Sequence, residues 1–260
     1  MSSNENLLQG RRALVVGVAN ERSLAWGIAE KLSQAGAEIA FTFQNEALER
    51  RVRPLAESLN STFVEACDVS KDESIDDLFG KLRQKWDRLD ILVHSVAFAN
   101  REDLDGRFVD TSREGFRIAL DVSTYSLVVL ARRAEPLMKN LGGSILTLTN
   151  HGSQKVIPNY NVMGVAKAAL EASVRYLAND FGESKIRINA ISAGPVQTLA
   201  ASGTRNFRDA LDLFEKKAPL HEIISSEDVG ELAAFLCSSG AKHVTGTTLY
   251  VDSGAHIMGA

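Results

Sequence analysis

The chain has 260 residues, of which 45% are hydrophobic and 24% charged, so it can bury a sizeable core and is not a disordered polymer. A net charge of −4 argues against a dedicated nucleic-acid binder, whose affinity would come from neutralising phosphates with a basic surface. Cys67 and Cys237 lie far apart outside any C-x-x-C pair, and the five histidines have no ligand spacing, which points to free buried thiols and no metal site.

The first twelve residues, MSSNENLLQGRR, lack the apolar core of a signal peptide, and no apolar run is long enough to cross a bilayer, so the expected location is the cytoplasm. The first strand is expected over 12–18 (RALVVGV), followed by GVANERSLAWGIA and a helix near 23–35. The dinucleotide fingerprint G-x-G-x-x-G is absent; what remains is Gly17 at the strand end, Ser23 near the helix start and Gly27 in its first turns. A helix N-terminus facing a strand end offers unpaired N–H groups and a positive dipole end to a pyrophosphate, while Ser23 can equally be a plain N-cap. Gly36 is placed to stop this helix in a left-handed cap.

The second strand, 37–43, is followed by neutral Gln44 and Asn45, and the first basic residue, Arg50, already lies in the next helix, 46–59. NADP-binding folds tend to recruit an arginine at this point, so the pattern favours NADH over NADPH. The third strand, 62–68, ends at Asp68, which either assists the turn or accepts a hydrogen bond from an adenine amino group. Ser70 and Glu73 read as an S-x-x-E capping box for a helix over 71–86. Then come a strand at 89–97 (LDILVHSVA), a long helix at 112–139, a strand at 143–150, a helix at 160–183 and a strand at 186–192. Residues 193–206 are small and poorly periodic and are expected to form a mobile loop over the strand ends. Arg205, Arg208, Lys216 and Lys217 cluster in 204–217, where a solvated helix face is favoured over a docking surface for an acidic partner. A helix at 225–238 and a strand at 247–254 close the chain.

This βαβ alternation, with apolar runs such as ALVVGV and DILVHSVA, predicts an α/β fold: a Rossmann-type, doubly wound, parallel seven-stranded sheet with helices on both faces. No linker or repeat divides it, so residues 1–260 are expected to form one dinucleotide-binding domain, with 194–217 as a mobile substrate-loop region.

Tyr160 and Lys167 are seven residues apart, almost two helical turns, and so project from one helix face. A phenol needs a nearby ammonium to favour its ionised form, which makes this pair a candidate catalytic dyad. Ten residues before the tyrosine stands Asn150, at the end of the fifth strand.

The segments GVANERSLAWGIA, FTFQNEALERRVRPLAE, CDVS, HSVAFA, GRFVDTSREGF, IPNYNVMGVAKAALEASVRYLA and RINAISAGPVQTLAASG cover nearly the whole chain. Through them the chain resembles the short-chain dehydrogenases/reductases, and within these the NADH-dependent enoyl-acyl-carrier-protein reductases of bacterial fatty acid synthesis. The resemblance implies hydride transfer from NADH to the β-carbon of a trans-2-enoyl thioester, with Tyr160 hydrogen-bonding the thioester oxygen and Lys167 orienting cofactor and tyrosine. It implies that Gly17, Ser23 and Leu24 hold the pyrophosphate, Gln44 the adenosine ribose, and Asp68 and Val69 the adenine. Ser95 and Val96 would lie near the inner ribose, Lys167 on the nicotinamide ribose, and Val196 and Thr198 beside the nicotinamide and phosphates. Ala99, Tyr160, Met163, Ala200 and Phe207 would wall the acyl pocket. Acyl carrier protein would dock near Arg205 and Arg208, and the protein would be a homotetramer, close helix packing being permitted by Ala166, Ala168, Ala169, Ala172 and Ala178.

The chain departs from the family pattern at Asn150, where a second tyrosine is usual, and more mildly at Gln197, Thr204 and Ser253. An amide donates a hydrogen bond but relays no labile proton, and it fills less space than a phenol. A working enoyl reductase is the favoured reading; a reductase for a ketone or an unusual enoyl substrate, and a low-activity relative, are the alternatives.

Overall fold

The computed structural model of the protein describes residues 6–196 and 207–259, with side chains described from Leu211 onward in the second stretch. Seven parallel strands, β1 (Arg12–Val16), β2 (Glu38–Phe43), β3 (Val64–Ala66), β4 (Ile91–His94), β5 (Gly143–Thr149), β6 (Ile186–Ala193) and β7 (Thr248–Val251), form one sheet in the order β3-β2-β1-β4-β5-β6-β7. The register pairs Val15 with Phe41 on one side and with Val93 on the other.

The apolar strands are buried on both faces because successive side chains point to opposite sides. Ala13 and Val15 of β1 join one core, together with helices α1 (Leu24–Gln34) and α8 (Ser226–Cys237). Leu14 and Val16 join the other, with α3 (Asp72–Lys85), the helix Ser126–Met138 and α6 (Asn161–Asp180). Helix α2 (Glu46–Ser58) follows β2, capped by the Asn45 side chain, which accepts from the Leu48 N–H. Gly36 ends α1 in the left-handed region at φ +96°, as expected. Gly27 serves packing: a Cβ there would lie 2.4 Å from the Ser226 carbonyl oxygen, so the pair α1 and α8 can meet only at a glycine.

Two local expectations are corrected. The Ser70–Glu73 capping box does not form; Lys71 is the N-cap of α3 and makes no side-chain cap bond. Ser70 instead donates its Oγ to Asp68 Oδ1 at 2.7 Å, because an ionised carboxylate two residues away is a stronger acceptor partner for the hydroxyl than a backbone N–H is a donor. A true capping box closes α8, where Ser225 and Asp228 satisfy each other's backbone N–H groups. The helix expected over 112–139 is split into α4 (Arg113–Leu120), a π-helical turn (Asp121–Tyr125) and α5 (Ser126–Met138). That turn is held by tertiary bonds: Ser123 Oγ donates to the Phe98 carbonyl and accepts from its N–H, and Thr124 Oγ1 donates to the Ala166 carbonyl at 2.8 Å. The basic segment 204–217 carries a helix, α7 (Phe207–Lys217), on which Lys216 and Lys217 are exposed, in keeping with the solvated helix face expected there.

Among the described residues, no helix is long and apolar enough to cross a membrane. The chain leaves β3 at one edge of the sheet and returns to β4 beside β1. Strand order reverses there, and a crevice opens beyond the carboxyl ends of β1 and β4.

Candidate active site

The crevice is a cleft of about 440 Å³ lined at one end by Thr42, Phe43, Gln44, Leu48, Cys67, Val69 and Ser70, and at the other by Ser95, Val96, Phe98, Ile118 and Val122. Gly17 forms its floor. At φ +108° a side chain there is strained, and a Cβ would lie 2.1 Å from the Ser95 carbonyl oxygen. The bare backbone at this switch point is what a pyrophosphate needs for close approach, and the apolar wall of Phe43, Leu48 and Val69 suits an adenine ring. A dinucleotide therefore fits the residues present.

Five of the expected cofactor residues, Gly17, Gln44, Val69, Ser95 and Val96, line this one cleft. Ser23, Leu24, Asp68, Lys167 and Val196 do not line it. Ser23 is the N-cap of α1 by backbone geometry, but its hydroxyl makes no cap bond and donates to the Asn20 carbonyl at 2.7 Å. The Asp68 carboxylate is occupied by Ser70 and by Lys71 at 3.2 Å; burial pushes its pKa up, but these bonds outweigh it and the net shift is downward. Gln197, Thr198, Ala200, Thr204 and Arg205 lie outside the described residues, as do the side chains of Phe207 and Arg208.

The second part of the site is built on β5 and α6. Tyr160 is the N-cap residue of α6 and is flanked by two asparagines in the left-handed region, Asn159 at φ +59° and Asn161 at φ +37°. Asparagine tolerates this conformation better than other side-chain-bearing residues, and Asn161 is held there by donating to the Leu104 carbonyl at 3.0 Å. Lys167, two turns on, is buried and donates from Nζ to the Leu148 carbonyl at 2.8 Å. Tyr160 and Met163 pack with Ala99, Leu104, Ala119 and Leu120 into a small apolar cluster, which brings three of the expected pocket residues together.

Asn150 caps a short 3-10 turn, His151–Ser153. Its Oδ1 accepts from the Gly152 N–H at 3.0 Å and its Nδ2 donates to the Tyr160 hydroxyl oxygen at 2.5 Å. Gly152 has to be small, since a Cβ would meet the Tyr160 ring at 2.6 Å. Burial pushes the Tyr160 phenol up to about 12, against the smaller opposing effect of the Asn150 bond, so the hydroxyl is protonated at neutral pH. Burial also pulls the Lys167 ammonium down to about 8, with the Glu171 charge opposing the fall.

Two groups in this region were not singled out by the sequence. His94 on β4 is buried and shares hydrogen bonds of 2.8 Å with Thr147 Oγ1 and with Ser126 Oγ. Glu171 is a buried carboxylate that shares the inner face of α6 with Lys167 among apolar residues; an acid one turn after Lys167 in the run VAKAALEAS was the available signal. Among the described residues, no group of three or more His, Cys, Asp or Glu could hold a metal ion.

Residues 17–256 match the family model described as enoyl-(acyl carrier protein) reductase. The chain is 53% identical over 254 residues to the enoyl-[acyl-carrier-protein] reductase [NADH] of Rickettsia typhi, covering 98% of this chain and 97% of that one. It is also similar to the crystal structure of the enoyl-[acyl-carrier-protein] reductase (NADH) of Aquifex aeolicus, at TM-score 0.94 and 52% identity over 98% of this chain and 100% of the other. The Bacillus cereus enoyl-acyl carrier protein reductase, solved with NADP+ and indole naphthyridinone, aligns at TM-score 0.96 and 51% identity, again over 98% and 100%.

Proposed function

The chain belongs to the enoyl-acyl-carrier-protein reductase family of short-chain dehydrogenases/reductases, and from that premise we propose which of its residues carry the reaction. The protein is an NADH-dependent oxidoreductase that reduces the carbon–carbon double bond of enoyl thioesters, with acyl carrier protein as the substrate carrier, in fatty acid synthesis. NADH, when bound, supplies the hydride that adds to the β-carbon. Gly17, Gln44, Val69, Ser95 and Val96 would hold it along the cleft, and Lys167 would hold the ribose nearest the reacting ring. Neutral Gln44 in the lining supports NADH, since a 2′-phosphate would ask for a cation at that point.

As the β-carbon gains its new bond, the electron pair of the double bond moves toward the thioester oxygen, giving an enolate whose α-carbon then takes a proton. Tyr160 is the group that meets this oxygen. Its own oxygen accepts from Asn150, so its proton is turned away from the amide and is free for the substrate. A hydrogen bond to an atom that gains charge in the transition state is worth more there than in the ground state. That single relationship between Asn150 and Tyr160 carries the assignment. Ala99 and Met163, packed with Tyr160, would wall the acyl chain together with Ala200 and Phe207.

The finer assignments extend this reading. Residues 1–260 would act as one reductase domain, with 194–217 as its substrate-loop region and Arg205 and Arg208 meeting the acidic carrier protein. The partly exposed alanines Ala168, Ala169 and Ala172, with Tyr176 76% exposed beside them, support α6 as a contact face of a homotetramer. The decisive experiment follows NADH oxidation with a trans-2-enoyl thioester and, separately, with a 3-oxoacyl thioester. Turnover of the enoyl compound is expected; turnover of the 3-oxoacyl compound alone overturns the reading.

A further inference from the structure

Glu171 lies one helical turn beyond Lys167 on α6 and is only 8% exposed. A carboxylate is rarely this deep without partners that satisfy its charge. Its Oε1 accepts from Thr149 Oγ1 at 2.7 Å and from Ser153 Oγ at 2.5 Å. These donors bracket the strand end that presents Asn150: Thr149 is the last residue of β5, and Ser153 ends the 3-10 turn that Asn150 caps. Lys167, 6% exposed, is bound to the carbonyl of Leu148, the residue before Thr149. Among the described residues Lys167 has no acid within ion-pair distance; Glu171, buried one turn away on the same helix, is the opposite charge placed to act on it through space.

The surrounding groups leave Glu171 as the source of negative charge. His94 on β4, which is coupled to Lys167, is held neutral by burial. His151, on the turn after β5, lies under the influence of Lys155, Asp252, His256 and Glu171, and burial lowers its pKa. Tyr160 is held protonated by burial, and Arg117 of α4 and Asp121 of the π turn face each other at 3.9 Å.

We propose that Glu171 is a positioning residue for the reduction: its carboxylate clamps the Asn150 strand end to the catalytic helix and keeps Lys167 in its ammonium form. This rests on the assignment of Tyr160 and Lys167 given above. The two functions share one group because a charged acceptor can serve two hydroxyls and still act on a cation, whereas a neutral amide keeps the first role and loses the second.

The test reads Lys167 directly. In cofactor-free protein labelled with 13C at the lysine ε-carbon, the Lys167 signal is assigned by its loss in Lys167→Arg and followed with pH. Glu171→Gln is expected to lower the titration midpoint by about one unit, the scale of a nearby opposite charge in a buried site. Thr149→Val removes one clamp bond but keeps the charge, and should leave the midpoint in place. With NADH and an enoyl thioester, the high-pH limb of kcat/KM in Glu171→Gln should move down by the same interval, a loss of about fivefold near pH 8 that approaches tenfold at higher pH, with little change near pH 6. A merely structural Glu171 would lower the melting temperature in both variants and leave the Lys167 midpoint unmoved, which overturns the proposal. If Glu171→Gln does not fold, Glu171→Asp retracts the charge by one methylene, and an unmoved midpoint there is equally fatal. Failure of Tyr160→Phe to slow enoyl reduction would instead overturn the assignment of the dyad, without touching the Lys167 titration.

Discussion

The Asn150 side chain is fixed at both ends: its Oδ1 takes the Gly152 N–H at 3.0 Å, and its Nδ2 donates to the Tyr160 oxygen at 2.5 Å. The first bond decides which end of the amide faces the tyrosine. Because Asn150 donates, Tyr160 must turn its own proton away from the amide, which in the proposed mechanism leaves it for the thioester oxygen. The amide thus orients the phenol without exchanging a proton with it.

Asn150→Ala should therefore slow turnover by about tenfold, the worth of one hydrogen bond that orients a reacting group, with NADH affinity unchanged. Asn150→Asp should be more damaging at neutral pH. A carboxylate reverses the bond, drawing the Tyr160 proton toward itself and away from the thioester oxygen, and activity should recover in part as the pH is lowered and the carboxyl becomes protonated. Steady-state kinetics of both variants, with NADH binding followed by fluorescence, check this. Equal losses at all pH values would show that the direction of the bond is immaterial, and a large loss of NADH affinity would mean that Asn150 is misplaced.

His94 gives a second prediction, on stability. Burial, with the nearby Lys167 charge adding to it, pulls its pKa from 6.5 down to about 3, so the folded protein holds it neutral between the hydroxyls of Thr147 and Ser126. Between about pH 3 and pH 6.5 the unfolded chain binds a proton there that the folded chain does not, so stability falls as the pH is lowered through that window. Near pH 5 the loss from this one group is about 2 kcal/mol. Urea unfolding at pH 7 and pH 5 should show a smaller acid loss in His94→Gln than in the unmodified protein. An identical loss in both would place the acid sensitivity elsewhere.

Much of this arrangement was legible in the residues. The apolar runs at β1 and β4 announced strands covered on both faces, and alternate side chains of β1 do enter the two cores. Gly17, Gln44 and Val69 come from three separate strand ends, and it is the parallel order that brings them to one cleft. What stayed hidden depends on contacts between distant segments. The π turn interrupts a continuous helical periodicity because Ser123 and Thr124 are claimed by Phe98 and Ala166, and no local pattern records that. Ser70 matched a capping box by spacing, but the carboxylate of Asp68 competed successfully for its hydroxyl. Asn150 was visible as an odd residue at a strand end; the direction of its amide is set by Gly152 and required the fold.

The two glycines on either side of the first helix start separate binding from stability. A Cβ at Gly17 would sit 2.1 Å from the carbonyl oxygen of Ser95, and at φ +108° the backbone itself resists any side chain. The obstructing atom is backbone of the neighbouring strand, so relief requires β1 and β4 to part at the switch point, which deforms the cleft floor. At Gly27 the obstruction is the Ser226 carbonyl at 2.4 Å, where α1 meets α8 on the outer layer and not in the cleft. Both Gly17→Ala and Gly27→Ala should cost stability, about 1–3 kcal/mol for a forced overlap of this kind. Only Gly17→Ala should also abolish NADH binding in the fraction that remains folded. Thermal melts paired with NADH fluorescence titrations test the contrast. Normal NADH affinity in folded Gly17→Ala would mean that the cofactor does not lie on the floor this glycine forms.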